Sequence, residues 1–334
     1  MKYIYLILIN FLFIISVSFA DDDQISNPYE LLTDRQQSLY HAFENCNPET
    51  DECLIISKNF YEEIIADEKL SNSFFLGYST YWYGDTLDLN NKTDEAYKIW
   101  NEMISNKVFN EKQNYPYKVY ALIALGWRHF TDMDILDDKK SFDYMKEAAD
   151  YGNHWALNNL GVFYHMGRNT KKNMSKAFKN YKKAADLGNH WAHGNLADFY
   201  LFGWGGADKN YQKSIFQMKF SSVATYTVND NFKLKCLLKN AKLPKNEKQF
   251  KNWMINYLIE TKDTNGFQEI AWISENNEEI YKWQYLASVY SNDYSSKERA
   301  AQELEIMKIR NNLSGERIAE IKNKAHIWIK KNWK

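Results

Sequence analysis

Two 18-residue stretches set out their apolar and polar positions in the same order: Glu147 to Tyr164 reads EAADYGNHWALNNLGVFY, and Lys183 to Tyr200, 36 residues on, reads KAADLGNHWAHGNLADFY. Ala156, Leu160 and Tyr164 in the first copy, like Ala192, Leu196 and Tyr200 in the second, recur every fourth residue. That spacing stacks them on one face of a helix. Gly161 on the same helix removes a side chain where a neighbouring helix must come close. Upstream of each copy lies another helical pattern, SFDYMKEAAD (Ser141 to Asp150) and AFKNYKKAAD (Ala177 to Asp186), so each unit is a helix pair. Gly152 and Gly188 close these second helices, at the position where a left-handed residue caps a helix C-terminus. A fixed period between 20 and 50 residues marks stacked supersecondary units. The predicted fold class is all-α.

The pattern extends more loosely in both directions. A preceding unit carries Ala121, Leu125 and Gly126, then Ser141, Phe142, Ala148 and Gly152; a following one runs from Ala192 to Gly203, then Ser214, Ile215, Met218 and Ser221. Leu76-Gly77, Gly84, Ala96 and Trp100 read as a degenerate early repeat. Near the C-terminus EIYKWQYLASVYSN predicts a helix, SSKERAAQELEIMKIRN a helix with a capping box at Ser295 and Glu298, and LSGERIAEIKNKAHIWIKKNWK a helix with Ser314 as N-cap and a Leu313/Ile318 staple.

The motifs L-G-x-x-Y-x-x-G (Leu160 to Gly167) and A-F-x-x-Y-x-x-A-A-x-x-G (Ala177 to Gly188) resemble the Sel1-like repeat, a relative of the tetratricopeptide repeat. The resemblance implies a right-handed α-solenoid of stacked antiparallel helix pairs, closed by a polar terminal pair. It also implies an adaptor or scaffold role, without naming the partner. On this reading residues 21–70 form an N-terminal helical hairpin, 71–224 the repeats, and 225–334 a degenerate repeat with capping helices.

Anchored on Leu-Gly as in the tetratricopeptide relatives, the concave positions are Tyr120, Ile123, Trp127 and Phe130, then Trp155, Asn158, Val162 and His165, then Trp191, Gly194, Asp198 and Leu201. Tyr120, Trp155 and Trp191 share one position in three successive repeats. Together with Trp127, Asn158, His165, Asn195 and Asp198 they give the aromatic and amide make-up of a protein-binding groove. Two roles stay open for Trp155 and Trp191, groove lining or packing between repeats. Asp198 at an inward position requires water or a partner's basic group, because an unpaired buried carboxylate is costly.

Composition narrows the setting. The chain has 334 residues, with 16% aromatics, 13 Gly and 4 Pro, which suits long packed helices over a turn-rich β-fold. Residues 1–20, MKYIYLILINFLFIISVSFA, have the basic start, short apolar run and small residues Ser18 and Ala20 of a cleaved secretory signal. Export predicts an oxidising compartment, most simply a bacterial periplasm. There Cys46 and Cys53, flanking NPETDE between two helical patterns, would bridge a helical hairpin and leave Cys236 buried and unbridged. A net charge of −1, or −2 without Lys2, gives no field to gather nucleic acid.

No catalytic signature stands out, and neither a cofactor nor a metal is expected. GWGGADKN lacks the Lys-Ser/Thr of a phosphate loop and reads as a turn. His190 and His193 share a helix face without a local acidic or thiol ligand. Asp137 or Asp138 reads as a helix N-cap. The sequence therefore predicts a non-enzymatic exported protein that grips a protein partner. A sharper form is an immunity protein neutralising a secreted phospholipase-type toxin. Exported relatives linked to β-lactam binding or hydrolysis offer a rival reading, which is weakened because Cys46 and Cys53 precede the repeats.

Overall fold

The computed structural model describes residues 28–70, 73–110, 115–225, 228–274, 276–292 and 294–333. The secretory signal lies outside these residues, as does the side chain of Ser295, and with it that capping box. The architecture is all-α, a right-handed solenoid of antiparallel helix pairs, with no strand among the described residues. Two compact units divide between Tyr115 and Pro116.

The first unit holds α1 (Asp34–Asn45), α2 (Asp51–Ala66), α3 (Phe74–Leu89) and α4 (Thr93–Ser105). Thr33 and Gln36 form a reciprocal capping box on α1, and Thr50 caps α2 by accepting from Cys53 N–H. Between these two helices a disulfide joins Cys46 and Cys53, with Cα atoms 5.4 Å apart. The core is aromatic: the Tyr40 ring lies 5.8 Å from Phe60 and 5.5 Å from Tyr78, and burial raises the Tyr40 hydroxyl's pKa. Trp100 fits against Gly84 so closely that a Cβ there would stand 2.6 Å from the indole nitrogen.

The second unit opens with α5 (Tyr115–Thr131), α6 (Asp138–Asp150), α7 (His154–Met166), α8 (Met174–Asp186), α9 (His190–Phe202) and α10 (Tyr211–Thr225). Here sequence repetition becomes bond-for-bond repetition. Asn153 caps α7, its side-chain oxygen accepting from Trp155 and Ala156 N–H, and Asn189 caps α9, accepting from Ala192 N–H. Gly152 (φ +81°) and Gly188 (φ +84°) take the left-handed turn that reverses the chain, a conformation any Cβ would strain. Asn173 N–H donates to Tyr164 O at 2.8 Å, and Asn210 N–H to Tyr200 O at 2.8 Å. Phe142 meets Tyr164 edge-on at 6.0 Å, as Phe178 meets Tyr200 at 5.9 Å. Ser141 Oγ donates to Gly126 O at 2.7 Å, and Ser214 Oγ to Ala197 O at 2.9 Å. Gly161 admits Tyr181, whose ring carbons would stand 2.6 Å from a Cβ at that position. Asp137 is the N-cap of α6, and the N–H groups of Lys140 and Lys139 that it accepts lower its carboxyl pKa.

Beyond the repeats come α11 (Val228–Asn240), α12 (Glu247–Thr261), α13 (Gly266–Trp272), α14 (Asn277–Tyr290), α15 (Tyr294–Asn311) and α16 (Gly315–Asn332). Their core is assembled from single, unrepeated contacts. Trp283, 1% exposed, lies 6.2 Å from Phe267 and 4.9 Å from Trp328. Cys236 is buried and unbridged, its thiol pushed up to about 12 by burial. Ser314 caps α16, and Leu313 and Ile318 both pack against the small core around Tyr281 and Ile321.

Candidate functional site

The eight residues predicted to line a groove fall into three environments. Trp127 on α5 is 50% exposed and stacks on Phe130 at 6.0 Å; Trp191, at the start of α9, is 38% exposed. Tyr120 is half-buried beside Tyr117, at 6.1 Å. Trp155 is also half-buried, and its ring meets His190 of the next repeat edge-on at 5.4 Å. It therefore both packs between repeats and keeps part of its surface in solvent.

The amides join neighbouring repeats. Asn195 Nδ2 donates to Asn158 Oδ1 at 2.9 Å, which orders the side chains between α7 and α9. A parallel bond lies one turn earlier. Asn189 Oδ1 accepts from Ala192 N–H at 2.9 Å, so its Nδ2 faces His154 Nδ1 at 3.1 Å. The imidazole must accept there, and so it carries its proton on Nε2. Burial and the neighbouring His190 hold the His154 pKa down to about 4.

His165 and Asp198 lie deeper than predicted. His165 packs edge-on against Phe199 and Trp204 at 5.4 and 5.3 Å, with Tyr181 Oη 3.4 Å from its Nδ1. Burial, with Lys172 and Lys233 nearby, lowers its pKa to about 4. Asp198 is 2% exposed, and its basic partner is neither solvent nor another protein. Lys233 Nζ on α11 stands 3.0 Å from Asp198 Oδ2 and 3.2 Å from Glu269 Oε2 on α13. The expected water or external base is thus replaced by a cation from α11, in the segment read as degenerate repeat and capping helices. No pattern announced Lys233, because its two carboxylates come from separate helices and meet it only in the tertiary fold.

Two exposed aromatics escaped the sequence reading. Phe216, 61% exposed, and Phe220 are spaced i, i+4 on α10, and His193 packs at 4.2 Å against Phe220 while hydrogen-bonding Gln217. Their spacing was visible, but it fell off the face marked by Ile215 and Met218. His190 and His193 have separate protein neighbours, and no group of three or more metal-ligating side chains gathers among the described residues.

The Sel1 repeat model matches residues 119–153, 156–189 and 192–216, which are the three helix pairs whose bonds repeat. Residues 119–216 are built of Sel1 repeats. Sel1 repeats in general are protein-interaction scaffolds. No curated protein matches the chain. Among solved structures, a Sel1 repeat protein from Oxalobacter formigenes is 18% identical over 64% of this chain and 86% of its own, with a TM-score of 0.40. The c5321 protein, described as a protective antigen of uropathogenic Escherichia coli with an SLR fold, is 18% identical over 91% of this chain and 72% of its own, with a TM-score of 0.41. No helix among the described residues is long and apolar enough to cross a membrane.

Proposed function

We propose that this Sel1-like repeat protein acts outside the cytoplasm, in a bacterial periplasm, as a non-enzymatic adaptor that binds a protein partner through the first helices of its repeats. The observation that carries the reading is the exposure of Trp127 and Trp191 at first-helix positions, with Trp155 half-buried between them in the repeat order. Large aromatics anchored on a rigid helix and left partly in water are the residues on which protein interfaces concentrate their energy. Export is supported by the cleavable signal pattern of residues 1–20 and by the Cys46–Cys53 bridge, since disulfides persist in oxidising compartments.

Tyr120, Trp127, Trp155 and Trp191 are the proposed contact residues, with Asn158, Asn195, His165 and Asp198 holding the repeats in register beneath them. The test is in-cell photocross-linking from positions 127 and 191, followed by the Trp127→Ala/Trp191→Ala double variant. Each truncation should remove about 2 kcal/mol of binding and little stability. A partner retained at full affinity by a folded double variant would overturn the reading. Capture of a secreted phospholipase would sharpen it to immunity.

A further inference from the structure

Two arginines far apart in sequence converge on one phenyl ring. Arg168, just after α7, places its guanidinium carbon 4.6 Å from the Phe130 ring centroid, and Arg310, on α15, places its own at 4.8 Å. Stacking on the ring fixes the plane of each fork. Arg310 Nη2 donates to Phe130 O at 2.9 Å and to Asp138 Oδ1 at 2.6 Å. That accounts for one of its three nitrogens. Its Nε and Nη1, together with Nη1 of Arg168, are buried without a hydrogen-bond partner.

Charge is as incomplete as the hydrogen bonding. Asp138 is the one carboxylate in ion-pair contact with Arg310, and no ion pair reaches Arg168 among the described residues. Glu303 attracts Arg168 from beyond ion-pair distance. Burial and the proximity of Arg310 push the Arg168 pKa down to about 10, the direction expected of two like charges held together. Buried guanidinium donors are almost always satisfied, and a group of unmatched ones calls for an ion or water the chain does not supply. The cluster keeps a route to solvent, because the Arg310 side chain is 13% exposed and the Asp138 side chain 27%.

We propose that Arg168 and Arg310 form an anion site that takes a small oxyanion, a carboxylate or phosphate, onto the three buried donors beside Phe130. A guanidinium fork matches the oxygen spacing of a carboxylate or phosphate, and charge-assisted bonds are the strong ones. The site adjoins the exposed tryptophan face, since Phe130 also stacks with Trp127, but its donors are the two arginines and none of the proposed contact residues.

The decisive measurement is the side-chain ¹H–¹⁵N spectrum of the purified protein titrated with inorganic phosphate, in a second arm with acetate, and in a control arm with chloride at matched ionic strength. Saturable downfield movement of the Arg310 Nε–H signal with phosphate or acetate, but not chloride, is the expected result, and the tighter of the two identifies the source of the oxyanion. Arg168→Lys, which keeps the charge and removes the fork, should weaken that binding by roughly tenfold or more, the loss of one charge-assisted bond. Movement that follows ionic strength alike in all three arms would mean that water fills the site and would overturn the proposal, as would unchanged affinity in Arg168→Lys. The wild-type titration stands whether or not Arg310→Gln, the companion variant, folds.

Discussion

The repeats from α6 to α10 and the helices from α11 to α16 are built from the same element but held together differently. In the repeats several bonds have a counterpart about 36 residues on: Asn173 to Tyr164 and Asn210 to Tyr200, Phe142 on Tyr164 and Phe178 on Tyr200. The later helices are held by contacts of different kinds. Trp283 wedges between Phe267 and Trp328, Lys233 lies between Asp198 and Glu269, and Gly266 lies so close to Phe232 that a Cβ would come within 2.4 Å of its ring. A stack of similar units spreads its stability over many equivalent junctions. A singular core concentrates it in a few residues without substitutes.

The comparison predicts where the molecule breaks most easily. Trp283→Ala should cost about 3–5 kcal/mol in urea unfolding, because a fully buried indole leaves a cavity no neighbouring repeat can fill. Lys233→Ala should cost about 3–5 kcal/mol as well, since it strands Asp198 and Glu269 in the interior. Lys233→Ala with Asp198→Asn and Glu269→Gln together should recover much of that loss, and failure to recover would show that the lysine's stem, rather than its charge, holds the site. Within the repeats, Gly161→Ala should cost about 1–3 kcal/mol by pressing on Tyr181.

Acid should act on the two regions unequally. His154 and His165, both in the repeats, have native pKa values lowered from 6.5 to about 4. Between those limits the unfolded chain binds the protons and the native chain does not. The stability these rings confer is therefore whole above about pH 6.5 and drains as the pH falls toward 4. Amide exchange at pH 4.5 should show α7 and α9 opening more than α14; equal protection in both would sever the link to these histidines. The smallest effect is Asn189→Ala, about 1 kcal/mol for the lost cap, together with its bond to His154.

The same contrast governs what could be read from the chain. The helix pairs, their glycine turns, the Asp137 cap and the close approach at Gly161 are local signals written two or three times over, so position alone exposed them. Ser314 and the Leu313/Ile318 staple were legible without repetition, because a helix cap is written within a few residues of the helix start. Asp198 was correctly placed as inward, but its cation was not, because Lys233 belongs to a helix without a motif. Trp204 was rightly read as part of a turn, but the cover its ring gives His165 had no signal in the sequence. Repetition identifies faces, and only the fold identifies what each face meets.

The bond between Arg310 and Asp138 joins residues 172 apart in the chain. Stacked repeats fold quickly because their contacts are near in sequence, and they can begin anywhere along the array. This one contact does not obey that economy. Until α15 has emerged and docked, the α6 end of the repeat stack lacks its last neighbour, so the earliest helices of the second unit are completed by some of the latest to be synthesised. For a chain threaded from its N-terminus, the repeats can form early and still wait for the final helices before the unit closes.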